Sequence, residues 1–373
     1  MSKRRDRMKR RTHIGLAILA CVILLSGFVV IGCGDGDGDV TTPEGPGTPE
    51  PPETIELSFG HTMGPEGPSS EILVEWMDKI AEETDGRVHI TPYWSSTLIG
   101  GTTNYADLQA RVADIGYLSV AMTEPASFPL CCILEWAYFG VDDWEVEEQV
   151  GREIYELFPE LQAEGSKVKM LNFNGMGQFY IHTISQPIYT LEDLRGLELI
   201  GATFGVPGAT LGELGASPTI VPGSEFFTTL QKAIAEGMVT PITQMTTPSY
   251  QDLLKYHVAL PMWSGINGAP YLAMNWDCWN ELPADIQQVF EDNIEWLSEQ
   301  FVLLTQAAEA EALDYIASAP DQELTVLSAE DLATFADIGW EKLLEEAANV
   351  DEMGLPGTEM VLKCRELIEL YSD

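Results

Sequence analysis

From Pro283 to about Ser318 the chain contains no further glycine or proline, and its interior is rich in Ala, Glu, Leu and Gln. Such a run predicts one long helix, with Pro283 in its first turn, where a fixed φ helps and a missing N–H costs nothing. At about 1.5 Å of rise per residue, the helix outruns the depth of a small domain. It needs more than one body to lie against, which predicts two domains bridged by it.

The rest of the chain alternates strand and helix patterns. Ile55-Glu-Leu-Ser-Phe-Gly reads as a strand. An apolar stripe of Ile72, Leu73, Trp76, Met77 and Ile80 follows, capped by Ser69 or Ser70 and stopped by Gly86. Val88 to Trp94 and Asp114 to Leu118 read as further strands, with a short helix from Tyr105 to Ala113 between them. Strand–helix–strand at this spacing predicts an α/β unit with a parallel sheet. The rhythm returns with strands at 167–174, 197–200, 256–260 and 269–275 and helices at 209–214 and 224–236, and helices at 329–348 and 362–370 complete the C-terminal layer.

The first 33 residues read as an export leader. Seven Lys and Arg precede an apolar run from Ile14 to Ile31, and Val30-Ile31-Gly32-Cys33 then has the form of a lipobox. Cleavage before Cys33 leaves it lipidated and N-terminal, which places the remainder outside the cytoplasm, on a membrane only through that anchor. Residues 34–53 are Gly, Asp, Thr, Pro and Glu with almost no apolar content, the composition of a disordered tether. Without residues 1–32 the chain keeps 12 basic against 58 acidic residues, a net −46. That balance argues against nucleic acid and anionic membrane surfaces as partners. Cys131, Cys132, Cys278 and Cys364 show no metal-binding spacing and specify no disulfide connectivity, so buried free thiols are expected. No phosphate loop, dinucleotide fingerprint, nucleophile elbow or zinc-protease motif occurs, and neither a cofactor nor a metal is implied.

Thr190-Leu-Glu-Asp-Leu-Arg-Gly-Leu-Glu-Leu-Ile is the most specific stretch. Around it stand Phe59-Gly-His-Thr, Leu98-Ile-Gly-Gly, Leu108-Gln-Ala, Asp114-Ile-Gly, Gly215-Ala-Ser-Pro-Thr, Ser224-Glu225, Glu236-Gly237 with Pro241, and Leu282-Pro-Ala. In this order over residues 55–315 they resemble the solute-binding proteins of TRAP (tripartite ATP-independent periplasmic) transporters, the dicarboxylate-binding-protein-like family. The resemblance implies an α/β, two-domain, periplasmic-binding-protein-like (type II) fold. The domains are expected at 54–173 plus about 262–300, and at 174–261 plus about 301–373. It further implies a binding protein rather than an enzyme, one that captures a small organic solute and delivers it to the membrane permease subunits.

The departures from the family concern the ligand. The arginine that clamps the solute's carboxylate in the family falls at Ile200, and an alkyl group cannot replace a bidentate guanidinium–carboxylate pair. Met238-Val239-Thr240 replaces polar residues ending in asparagine. Arg111 sits where the family has a helix-ending glycine. The expected pocket is therefore neutral and aromatic, for an organic acid or a neutral or aromatic compound. Its candidate lining is His61, Trp94, Tyr117, Gln178, Tyr180, His182, Ile200, Glu225, Met238, Thr240, Trp263 and Asn267, with Ile200 facing the cleft. Two alternatives stay open: a surface-anchored hydrolase using scattered carboxylates with His61 or His182, and a binding protein of a receptor or an ATP-driven importer.

Overall fold

The computed structural model describes residues 54–372, except 63, 66–67, 102, 119–124, 136–138, 140–143, 173–178, 202–204, 222 and 261–271. The Cys33 lipobox, the tether, Gln178, Trp263 and Asn267 lie outside the described residues.

The elements run β1 (Ile55–Gly60), α1 (Pro68–Glu83), β2 (Val88–Tyr93), α2 (Asn104–Gln109) and β3 (Ile115–Tyr117). Three helices follow, α3 (Pro129–Glu135), α4 (Trp144–Leu157) and α5 (Pro159–Gly165), before β4 (Val168–Asn172) and β5 (Phe179–Thr183). Next come β6 (Glu198–Gly201), α6 (Gly205–Glu213), β7 (Ser217–Pro218), α7 (Phe226–Gln231), β8 (Gly237–Pro241), α8 (Pro248–Leu253), β9 (Tyr256–Ala259) and β10 (Leu272–Asn275). The chain ends with α9 (Trp276–Glu281), α10 (Ala284–Ser318), β11 (Glu323–Val326), α11 (Ala329–Glu352) and α12 (Gly357–Tyr371).

The strands form two sheets, ordered β2-β1-β3-β10-β4 and β11-β9-β5-β8-β6-β7. Each is parallel except for one reversed strand, β10 in the first and β5 in the second. Those two strands are entered where the chain passes from one sheet to the other, after β4 and after β9.

The 35-residue helix α10 bridges the sheets as its length predicts. Phe290, Leu297 and Phe301 join Leu57, Phe59, Leu73 and Trp76 in the core beneath the first sheet. Farther along, Ala312 and Ile316 join Tyr180, Ile200 and Met238 beneath the second. On the opposite face of the second sheet, Ile181, Leu199, Val239 and Val258 share a core with α3, α4, α6, α11 and α12. The 129–165 helices thus pack with the C-terminal helices, α3 against α11 and α12 and α4 against α12.

Local expectations are met at the leader-side elements and at the signature. Thr190 and Asp193 form a reciprocal capping box around a single 3₁₀ turn, Leu191–Leu194. Arg111 takes φ 55°, the left-handed conformation its glycine-like position demands. A bidentate pair to Glu281 at 2.8 and 2.7 Å, with Asp114 at 3.2 Å, holds it there. Gly201 ends the signature strand at φ 99°, and a Cβ there would collide with the Val239 carbonyl. The helix predicted over 224–236 is only α7, because 237–241 leaves it to become a central strand. The four cysteines are free thiols, with Cys131, Cys278 and Cys364 buried. Among the described residues no helix is long and apolar enough to cross a membrane.

Candidate functional site

In an open α/β sheet, ligands bind outside the carboxyl ends of the parallel strands. At those ends in the first sheet stand three predicted residues. His61 follows β1, Trp94 follows β2 and Tyr117 ends β3. Their rings form one cluster: His61 stacks on Tyr117 at 4.5 Å and 22° and lies 5.4 Å from Trp94. Phe59 meets Trp94 edge-on at 5.6 Å, and Phe301 of α10 approaches Tyr117 at 6.5 Å. Only 3% of His61 is exposed, and burial pushes its pKa down to about 4, so the ring is neutral at ordinary pH.

The second sheet brings five more predicted residues onto one face, in two successive rungs. Ile200 lies opposite Met238, which lies opposite His182, which lies opposite His257. One rung nearer the strand ends, Tyr180 lies between Thr240 and Ala259. Ile200, Met238 and His182 are fully buried, so the expectation that Ile200 faces the cleft is overturned. Leu230, Ile242, Met245, Ala312 and Ile316 close over that rung, because α10 and the 3₁₀ turn Ile242–Thr246 cover the middle of the sheet. Met238 packs in the same core and, with Ile200, is a packing residue.

His182 is also structural. Its Nδ1 lies 2.7 Å from His257 Nδ1, and His257 Nε2 lies 2.7 Å from Gln322 Oε1. Gln322 Nε2 donates to the Gln251 carbonyl at 2.9 Å, which fixes its amide orientation. His257 Nε2–H therefore donates to Gln322, and His257 Nδ1 accepts from His182 Nδ1–H. In that tautomer His182 Nε2 faces the Thr240 carbonyl at 3.3 Å with no proton between them. Burial, reinforced by the neighbouring His257, pushes the His182 pKa well below its usual value. The pair ties β5, β9 and the approach to β11 together.

The outer rung is nearly as buried, Tyr180 packing in the same core as Ile200 and Met238. Tyr180 and Thr240 are 8% and 7% exposed, and the Thr240 hydroxyl has no hydrogen-bond partner. Glu225 is exposed at the N-cap of α7 and does not join this face.

Glu309, absent from the sequence-based lining, acts electrostatically on Tyr180 and on Glu147. Burial and then Glu309 push the Tyr180 phenol up, and burial and then Glu309 push Glu147 up to about 8. A sequence signal for Glu309 exists: it falls on the inward stripe of α10 at helical spacing from Phe301, Thr305, Ala312 and Ile316, a charge where apolar residues are expected. Glu147 carries no such signal.

Comparison with known proteins identifies the family. The DctP profile, bacterial extracellular solute-binding protein family 7, matches residues 59–348. The C4-dicarboxylate-binding periplasmic protein DctP of Rhodobacter capsulatus is 23% identical over 301 residues, 77% of this chain and 84% of that protein. A marine-metagenome TRAP solute-binding protein specific for aromatic acids, solved with 3-hydroxybenzoate, has TM-score 0.75 at 22% identity, covering 86% of this chain and 100% of its own. A Rhodoferax ferrireducens TRAP solute-binding protein solved with copurified benzoate has TM-score 0.72 at 22% identity, covering 86% and 99%. The chain belongs to bacterial extracellular solute-binding protein family 7, the DctP family of TRAP-transporter solute-binding proteins.

Proposed function

We propose that this protein captures a small ring-bearing organic solute between its two sheets and hands it to the membrane permease of a TRAP transporter. The observation that carries the reading is the ring cluster of His61, Trp94 and Tyr117 at the carboxyl ends of β1–β3. The Tyr180–Thr240 rung supplies the second wall, with an unpaired hydroxyl for orientation. Related proteins solved with 3-hydroxybenzoate and benzoate support a ring of that size. Capture works by domain closure: contacts made to both walls at once exist only in the closed form, so the ligand shifts the population toward it. The moving bodies are those built on the first and on the second sheet; the 129–165 helices, expected from the sequence in the first body, pack with the C-terminal helices and go with the second. Lipid on Cys33 keeps the protein at the outer face of the membrane, near its permease.

The test is a melting-shift screen over ring-bearing acids, alcohols and amines, followed by calorimetry on the hits. Binding without turnover supports the reading. Hydrolysis of a nitrophenyl ester or glycoside by the pure protein, lost in His61→Ala, refutes it in favour of a hydrolase.

A further inference from the structure

We propose that Asn172 holds the solute through its side-chain amide, and so selects a ring that carries an acceptor oxygen, a carbonyl or a carboxylate. This rests on the binding function proposed above and names a group that reads its ligand. Asn172 is the last residue of β4. β10 runs antiparallel to both β3 and β4, so those two strands are parallel to each other and end on the same side of the sheet. Leu272 of β10 lies opposite Tyr117 on one side and opposite Asn172 on the other. Two strand spacings, about 10 Å, therefore separate the backbones of Asn172 and Tyr117, a span that a ring with one short substituent covers. The helix α10 shows where the side chains point. Ser298 bonds to Asn172, and Phe301 approaches the Tyr117 ring at 6.5 Å. Residues three apart share one face of a helix, so the Asn172 amide and the Tyr117 ring lie on the same side of the sheet.

Half of that amide is unused. Asn172 is 2% exposed, and the Ser298 hydroxyl donates to its Oδ1 at 2.5 Å. Its Nδ2 has no hydrogen-bond partner among the described residues. A buried donor with nothing to donate to is costly unless an acceptor arrives from outside the protein's own bonds. With Oδ1 engaged by Ser298, the amide is turned so that both Nδ2 hydrogens await an acceptor, and Nδ2 offers no lone pair in return. It therefore matches an oxygen with free lone pairs and opposes an ammonium group. An amide also suits a protein in which the family's arginine position is the buried Ile200, because it orients an acceptor oxygen without supplying a charge.

Calorimetry on benzoate, acetophenone and benzylamine tests this. The first two offer Nδ2 an acceptor oxygen, one charged and one neutral, and the third offers only donors. Both oxygen ligands are expected to bind about tenfold or more tighter than benzylamine. Asn172→Ala should weaken benzoate by roughly ten- to a hundredfold and acetophenone by about fivefold, while benzylamine stays within about threefold. Asn172→Leu, which fills the site without a donor, should show the same order, with circular dichroism melts confirming that both variants are folded. Ser298→Ala frees the amide to turn and should narrow the ratio of benzoate to benzylamine affinity. A merely structural Asn172 would weaken all three compounds alike. If that happens, if both Asn172 variants leave the oxygen ligands unchanged, or if benzylamine binds the parent as tightly as they do, the Asn172 assignment falls and the ring-binding function stands. If none of the three binds the parent, both fall.

Discussion

Replacing Ile200 by alanine separates a residue that greets the ligand from one that holds the sheet together. The side chain is fully buried in a rung with Met238 and His182, under Ala312 and Ile316. The substitution removes three carbon centres, about 2.4 kcal/mol at roughly 0.8 kcal/mol each. A cavity term adds to this, because neighbours on a strand and a helix relax only in part, so the total is about 3 kcal/mol. For a folded body of about 320 residues, that lowers Tm by about 4–5 °C. Circular dichroism melts of the two proteins, without ligand, provide the measurement. Ile200→Arg should cost at least as much, since its guanidinium must either stay in that core or run about 6.6 Å along the sheet to the Tyr180 rung. A Tm change below about 1 °C in the alanine variant would mean that the side chain faces open solvent, and the two-rung description would be wrong.

Acid should destabilise the protein through His61. Its folded pKa of about 4 lies below the unfolded value near 6.5, so the stability it contributes is complete above pH 6.5 and is lost as pH falls toward 4. The loss approaches about 3 kcal/mol, and melting His61→Phe alongside the parent should flatten the pH dependence by a similar amount. Thr240→Val should leave the free protein as stable as the parent or raise it by about 1 kcal/mol, because the hydroxyl it removes is unpaired, and it should weaken the ligand. Calorimetry with succinate or malate should show no sub-micromolar binding, since the position of the family's carboxylate clamp is occupied by a buried alkyl group. Cys33→Ala should abolish lipid attachment, as read by mass spectrometry of the membrane fraction.

Much of the architecture was legible because its signals are periodic and local. The Pro283 run appears as α10 within one residue, and the alternating apolar residues of 55–60 and 88–93 appear as β1 and β2. The elements that escape notice are those in which local signals oppose the fold. β8 begins with Gly237 and ends with Pro241, punctuation that reads as a turn, yet the strand is buried in mid-sheet between β5 and β6. β5 is buried on both faces and so loses the alternation that marks a half-exposed strand. At the site, the motif positions of Tyr180 and Thr240 fall opposite each other on the second sheet. Ile200 and Met238 were misread because a motif gives the backbone position of a residue, whereas a shorter side chain at that position stops within the core. Glu147 carries no local signal, because the charge that acts on it, Glu309, lies 162 residues away in sequence.

The placement of β10 has a consequence for the order of folding. It sits between β3 and β4, pairing Leu272 with Tyr117 on one side and with Asn172 on the other. Until residue 275 has left the ribosome, β4 has no neighbour in its sheet, and the buried side chains of β3 and β4 have no third strand between them. Loop closure over more than 150 residues is entropically slow, so the N-terminal half cannot settle early into a finished body. A chain that delays its own completion in this way remains threadable for longer.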